Sequence, residues 1–185
     1  MTVKSGTHSI GPENGKLTIN TYVGGMGSKM GHDLVLEAKR WSGTANLDPD
    51  NPGSSSVQVT VDVRSLEVIQ ATGGLKPLSD KDKNDIAQNQ EKTLQSNKFP
   101  EITFQSTQVS GNPPKLTVQG DLTIVGNTRP VALDVAVEDS AGTTQLTGTT
   151  TIVQTEFGIK PYSKMGALKV KDPIDLKVVL TLPSA

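Results

Sequence analysis

The sequence predicts an all-β fold, an antiparallel barrel or sandwich of about eight strands with one amphipathic helix. Three observations support this prediction. Apolar and polar residues alternate through most of the 185 positions, as they do in strands with one buried and one solvated face. Turn-forming residues separate the alternating stretches, and one segment alone carries apolar residues at helical spacing. The length fits a single domain that covers residues 1–185.

The predicted strands follow one another along the chain, and in each of them the apolar residues share one face. A barrel and a two-sheet sandwich would both protect the sheet edges, and long strands with one spare helix favour the barrel. The inward residues of successive strands are Leu17, Ile19 and Val23; Leu34, Leu36 and Ala38; Val57, Val59, Val61 and Val63; Ile102 and Phe104; Leu116, Val118, Leu122 and Ile124; Val131, Leu133, Val135 and Val137; and Ile174, Leu176, Val178, Leu180 and Leu182.

The stretch LTVQGDLTIVG, residues 116–126, contains a six-residue repeat. Because six is even, both copies place their apolar residues on the same face of a strand. We therefore predict one long strand that bends at Gly120, with a hairpin at Gly120 and Asp121 as the alternative.

The one helical segment covers residues 79–96. Ser79 or Asp80 can cap it, and acidic residues follow in its first turns. Its narrow apolar stripe predicts a plug, a lid or a simple cap over one barrel end, and Pro100 ends the segment before the next strand. The residues at helical spacing are Ile86, Ala87, Gln90 and Leu94.

The composition excludes several classes of function. Lys and Arg number 18 against 19 Asp and Glu, with no run of either sign, so neither nucleic acid nor an anionic membrane is an expected partner. There is no Cys, which excludes disulfides and thiolate chemistry. The N-terminal residues lack a signal peptide and no segment is long enough to span a membrane, so we expect a cytoplasmic protein unless a leader has been removed.

Neither histidine predicts a metal site or a catalytic pair. His8 and His32 lie in different segments without a ligand cluster around them, so no metal or other cofactor is expected, and no G-x-S-x-G motif is present. His32 shares the inward parity of Leu34, which sends the adjacent Asp33 to the opposite face. His32 is then either a packed residue at the edge of the core or a polar group at the mouth of a cavity. Trp41 is either packing or a cavity wall.

Three segments in order resemble the YceI-like family of lipid-binding proteins. They are FPEITFQS at Phe99–Ser106, GDLTIVG at Gly120–Gly126 and FGI at Phe157–Ile159. The resemblance extends over nearly the whole chain, from about residue 7 to residue 182. The beginning of the chain is similar to a branch of the family found in actinobacteria without a secretory leader.

The resemblance implies an extended, lipocalin-like antiparallel barrel. It also implies a non-enzymatic function, in which an apolar channel holds a long isoprenoid chain of the polyprenyl quinone or polyprenyl phosphate type for carriage or storage. Relatives are often dimers, so a homodimer is possible. The family brings no catalytic motif and no short motif for the head group of the lipid.

The candidate ligand-binding residues therefore come from the alternation. The inner faces are mostly aliphatic and contain few large rings, which predicts an unfilled apolar channel. The irregular segment KPYSKMGALK, residues 160–169, is predicted to surround the mouth of this channel. Two other functions stay open, an enzyme acting on lipid esters through His32 and a β-sandwich interaction module with a filled core. The predicted ligand-binding residues are His32, Leu34, Leu36, Trp41, Val59, Val61, Phe104, Leu122, Leu133, Val135, Phe157, Tyr162, Met165 and Leu168.

Overall fold

The structure is a computed structural model that describes residues 1–164 and 168–185. Antiparallel strands dominate it, and the predicted all-β class with one helix is confirmed. The helix is α1 (Asp80–Thr93). The strands are β1 (Gly6–Ile10), β2 (Gly15–Thr21), β3 (Val23–Gly24), β4 (His32–Ala38), β5 (Trp41–Leu47), β6 (Ser56–Asp62), β7 (Leu66–Gly73), β8 (Glu101–Asn112), β9 (Lys115–Ile124), β10 (Asn127–Ser140), β11 (Thr143–Val153), β12 (Ser163–Lys164), β13 (Leu168–Val170) and β14 (Pro173–Pro183).

Eleven of these strands form one curled sheet in the order β1-β5-β6-β8-β9-β10-β11-β14-β2-β4-β7. Only Lys39 and Arg40 separate β4 from β5, although the two strands lie near opposite edges of that order. A short 3-10 turn connects β6 to β7 in the same way. Each pair is therefore one long strand that bends at a corner. Its two halves lie near opposite ends of the strand order.

Backbone pairing continues across this corner. The Lys39 amide donates to the Ser65 carbonyl at 3.0 Å, and the Asp62 amide donates to the Arg40 carbonyl at 3.0 Å. If each bent pair counts as one strand, the pairings form a circuit of eight long strands, with β1 added beside β5. The predicted lipocalin-like barrel is thus confirmed. A small second sheet, β12-β13-β3, lies at one end.

The prediction of one long strand through Gly120 is also confirmed. β9 pairs with β10 without interruption, whereas β8 shifts its register between Ser106 and Gln108, opposite Gly120. A Cβ atom at position 120 would lie 2.4 Å from Cζ of Phe104. Glycine is needed at this position because the Phe104 ring occupies the space of a side chain.

Two apolar clusters fill the two ends of the barrel. We call the first the packed end; Val3, Ile10, Trp41, Leu180 and Leu182 are among its buried residues. The second lies at the helix end, where α1 connects β7 to β8, and its buried residues are Leu122, Ile124, Val125, Ile152, Phe157 and Ile159.

α1 begins as the sequence predicts. The Ser79 side chain accepts a hydrogen bond from the Asp82 amide, and the Asp82 carboxylate accepts one from the Ser79 amide, which together form a capping box. The helix ends at Thr93, three residues before the predicted end. None of its residues is buried, so α1 covers the barrel without belonging to its core.

A carboxylate at the packed end gives the first testable prediction. Asp139 accepts hydrogen bonds from the Thr144 hydroxyl at 2.7 Å, the Thr2 amide at 3.0 Å and the Thr2 hydroxyl at 2.8 Å. These bonds lower the pKa of Asp139 to about 2. Because the folded-state pKa is depressed, the carboxylate stabilises the fold above the unfolded-state value near 4, and this contribution is lost as pH falls from about 4 to 2.

We expect Asp139→Asn to lower the melting temperature at pH 7 and to weaken its dependence on pH between about 4 and 2. Thermal unfolding at several pH values, followed by circular dichroism, measures both effects. Asp134→Asn on the same strand is the matched control, because Asp134 is also on β10 and is exposed. Equal pH dependence for Asp139→Asn and the unmodified protein would contradict the prediction.

Candidate functional site

The barrel encloses one large apolar cavity of about 380 Å³. This volume lies in the range of small-molecule sites, about 300–1,000 Å³. The cavity extends from Leu47 and Val57 toward the packed end to Tyr162 and Val170 at the helix end. Every strand of the eight-strand circuit contributes to its wall, with residues that include Leu17, Ile19, Leu34, Leu36, Val59, Val61, Phe104, Leu116, Val118, Leu122, Leu133, Val135, Leu146, Gly148, Thr150, Leu176, Val178 and Leu180.

Two inward residues of one strand have small side chains and leave room for the cavity. On β11, Gly148 and Thr150 point inward between Leu146 of the packed end and Ile152 of the helix end. A Cβ atom at Gly148 would lie 3.1 Å from Val178, so this wall is thin and close-packed.

Large aromatic rings do not fill this middle section. Trp41 lies in the packed end against Gly15, where its ring carbon lies 2.8 Å from the position a Cβ would take. Phe157 is 1% exposed within the cluster at the helix end. Phe104 stands on the cavity wall and packs against Gly120. The central space is consequently left to aliphatic walls.

Polar side chains of the cavity wall include a group at the helix end. Asn89, Gln90 and Thr93 of α1 line the cavity there beside the apolar Ile86 and Leu94. Gln154 lines it as well, and its side-chain amide donates to the Lys171 carbonyl at 2.9 Å. The helix end therefore offers amide and hydroxyl groups to a ligand whose apolar part lies deeper in the barrel.

Most of the predicted site residues meet on this wall. Leu34, Leu36, Val59, Val61, Phe104, Leu122, Leu133, Val135 and Tyr162 line the cavity. Four other predicted residues do not line the cavity, and the prediction that they face it is corrected: His32, Trp41, Phe157 and Leu168. Met165 lies outside the described residues.

His32 does not face the cavity, because the loop after β7 captures its ring. Nε2 of His32 lies 2.8 Å from the Lys76 carbonyl oxygen, and the ring packs against Gly74. The adjacent Asp33 accepts a hydrogen bond from the Val23 amide at 2.9 Å. Both side chains hold neighbouring loops in place, which accounts for the pair that looks catalytic in the sequence.

Trp41 and Leu168 pack against neighbouring residues and do not line the cavity. Trp41 is 6% exposed in the packed end, and its Nε1 has no acceptor among the described residues, for which we have no physical account. Leu168 packs over Gly31, whose Cβ would lie 2.4 Å from a Leu168 methyl group. Neither position reaches the cavity lining.

The predicted ligand-binding residues left out several residues that line the cavity. Ile19, Val118, Leu176 and Val178 share the inward parity of their strands, so the alternation already contained the signal for them. Gly148 and Thr150 carried no such signal, because the stretch TTQLTGTTT is polar and reads as solvated. Only their even spacing from Leu146 could have placed them inside.

Within residues 1–164 and 168–185, the cavity wall contains no histidine and no carboxylate. The same residues bring together no group of three or more His, Asp or Glu that could hold a metal ion. No helix in this part of the chain is long and apolar enough to cross a membrane.

A curled antiparallel barrel around an apolar cavity defines a lipocalin-like class of protein. The chain belongs to the YceI-like family, since the family model of the YceI-like domain matches residues 12–182. Among curated relatives it is 32% identical to Protein YceI of Shigella flexneri over 96 residues, 52% of this chain and 44% of that protein. The matched region thus covers less than half the length of that relative.

Solved structures share the fold. The crystal structure of BcnA from Burkholderia cenocepacia superimposes with a TM-score of 0.68 at 23% identity, covering 90% of this chain and 95% of that one. The YCEI protein of Campylobacter jejuni superimposes with a TM-score of 0.60 at 18% identity, covering 80% and 82%. At these identities the likeness concerns the fold.

Proposed function

We propose that this protein binds a polyisoprenoid lipid, of the polyprenyl quinone or polyprenyl phosphate type, and carries or stores it without chemical change. The observation that supports the proposal most strongly is the largely aliphatic cavity of about 380 Å³ inside the barrel, with Gly148 and Thr150 on its wall. A long unbranched or methyl-branched tail fits such a space, because every wall of it offers apolar contact.

Burial of the tail supplies the affinity. Each methylene removed from water contributes about 0.8 kcal/mol, so about three or four isoprene units contribute roughly 10 kcal/mol or more. Association costs about 4–15 kcal/mol, which this contribution offsets in large part. In this account the nine predicted residues on the wall contact the tail, while Asn89, Gln90 and Thr93 select the head group.

The two other functions have less support. An enzyme acting through His32 would need that ring near the bound lipid, whereas His32 binds the Lys76 carbonyl outside the cavity. An interaction module with a filled core would leave no space of about 380 Å³. Neither finding favours a second function over lipid binding.

A titration tests the proposal. An apolar fluorescent probe should bind at one site per chain, and polyprenyl phosphate or polyprenyl quinone should displace it at a one-to-one ratio. A short-chain isoprenyl phosphate with the same head group is the control and should compete much more weakly, because tail burial dominates the affinity. Absence of a stoichiometric probe site, or no displacement by either long-chain lipid, would overturn the proposal.

A further inference from the structure

The largest exposed apolar side chains of the described part of the chain gather at the helix end. Met26 is 100% exposed, Leu75 75% and Met30 68%, whereas the remaining exposed large apolar residue, Ile69, is only 41% exposed. Exposed apolar side chains grouped at one place are typical of an interaction site.

Two of three loops that contact one another carry these residues: Met26 and Met30 lie in residues 22–31, and Leu75 lies in residues 73–78. Val170 pairs with Val23, and the Lys171 amide donates to the Tyr22 carbonyl at 2.7 Å. His32 connects the third loop, since it pairs with Gly73 and its ring contacts the Lys76 carbonyl. We call this surface the rim; it comprises residues 22–31, 73–78, 157–164 and 168–171.

The rim is positively charged. It contains six of the 18 Lys and Arg residues of the chain and none of the 19 Asp and Glu residues, although the whole chain has a net charge of −1. The rest of the molecule is consequently acidic. The six rim residues are Lys29, Lys76, Lys160, Lys164, Lys169 and Lys171.

Several acidic side chains next to the rim are engaged in local hydrogen bonds, whereas Glu156, which precedes Phe157, is exposed. Asp33 accepts from the Val23 amide, and Asp172 accepts from the amide and the hydroxyl of Thr155. Asp82 of α1 accepts from Ser79. α1 also carries Asp80, Asp85 and Glu91 against three lysines, so the helix is close to neutral beside the basic rim.

We propose that the rim docks on the surface of an anionic lipid bilayer, a partner that the sequence did not predict because the rim lysines are scattered along the chain and only the fold brings them together. Lysines close to such a surface are attracted by its negative potential, and exposed Met and Leu side chains insert at the boundary between head groups and acyl chains. Tyr162 and Val170 belong both to the rim and to the cavity wall, so docking brings the cavity next to the bilayer. This inference goes beyond the proposed function, because docking requires no lipid inside the barrel.

Vesicle sedimentation with the full chain tests the inference. Vesicles of phosphatidylcholine with about 30% phosphatidylglycerol should bind the protein, and binding should fall steeply with added salt. The variant Lys29→Glu/Lys76→Glu should bind about tenfold or more weakly. Lys4→Glu/Lys115→Glu, at the packed end, changes the net charge equally and should bind like the unmodified protein.

A second variant tests the apolar part of the surface. Met26→Ser/Met30→Ser/Leu75→Ser removes exposed side chains that contribute nothing to the core or the cavity wall, and it should also lose vesicle binding. Equal binding of rim and packed-end variants, or equal binding to vesicles of phosphatidylcholine alone, would overturn the inference. Probe titration without vesicles should be unchanged in all these variants, so failure of docking and failure of lipid binding are distinguishable.

Discussion

Replacement of Thr150 by tryptophan is expected to abolish binding of a polyprenyl lipid while the barrel stays folded. Thr150 lines the cavity midway between the two apolar clusters and pairs with Leu176 on β14. An indole ring at this position occupies the space that the tail would take. If the ring keeps about four methylenes of the tail out of the cavity, about 3 kcal/mol of binding free energy is lost. We therefore expect at least about a hundredfold loss of affinity.

The neighbouring residue gives a matched control. Thr149 is exposed on the same strand, on the opposite face, so Thr149→Trp adds the same ring outside the barrel. Probe displacement measures the affinity, and thermal unfolding checks that both variants are folded. Unchanged affinity in folded Thr150→Trp would show that the ligand does not use this cavity.

Gly120→Ala is expected to destabilise the barrel by about 1–3 kcal/mol, the usual cost of overpacking. A Cβ at this position would lie 2.4 Å from Cζ of Phe104 and 2.6 Å from the Gln105 carbonyl oxygen. The backbone oxygen belongs to a paired strand, so the strand itself has to move. Urea unfolding monitored by circular dichroism measures the change in stability.

Gly53→Ala is the control for this prediction. Its added methyl group would have its nearest neighbour at 3.6 Å, an ordinary van der Waals distance. We expect its stability to be unchanged within about 0.5 kcal/mol. An additional Phe104→Leu change should restore part of the stability lost in Gly120→Ala, since one of its two clashes involves the ring. Equal urea midpoints for the two glycine variants would contradict this account of Gly120.

The strand faces were predictable because alternation fixes which side chains share a side. Leu34, Leu36, Val59 and Val61 were placed correctly for this reason. The helix was predictable as well, since Ser79 provides a cap and a strand would send the neighbouring Ile86 and Ala87 to opposite sides, whereas a helix presents both on one side with Gln90.

Other features depended on tertiary contacts that alternation does not encode. Nothing in the stretch Lys39–Trp41 shows that β4 and β5 are one strand bent at a corner, because the bend is fixed by pairing with residues 62–65. His32 occupies the first position of β4, where a loop carbonyl determines the direction of the ring. Thr150 is polar, and only the circuit of eight strands places it inside the barrel.

The most direct test of the central claim is native mass spectrometry of protein purified without detergent, followed by organic extraction and identification of the released molecules. The account predicts one long-chain isoprenoid lipid per chain, or, if the purified barrel is empty, stoichiometric uptake when such a lipid is added. The spectrum of Thr150→Trp should show neither species. A barrel that remains empty after addition of long-chain isoprenoid lipids would contradict the claim that this cavity is a lipid-binding site.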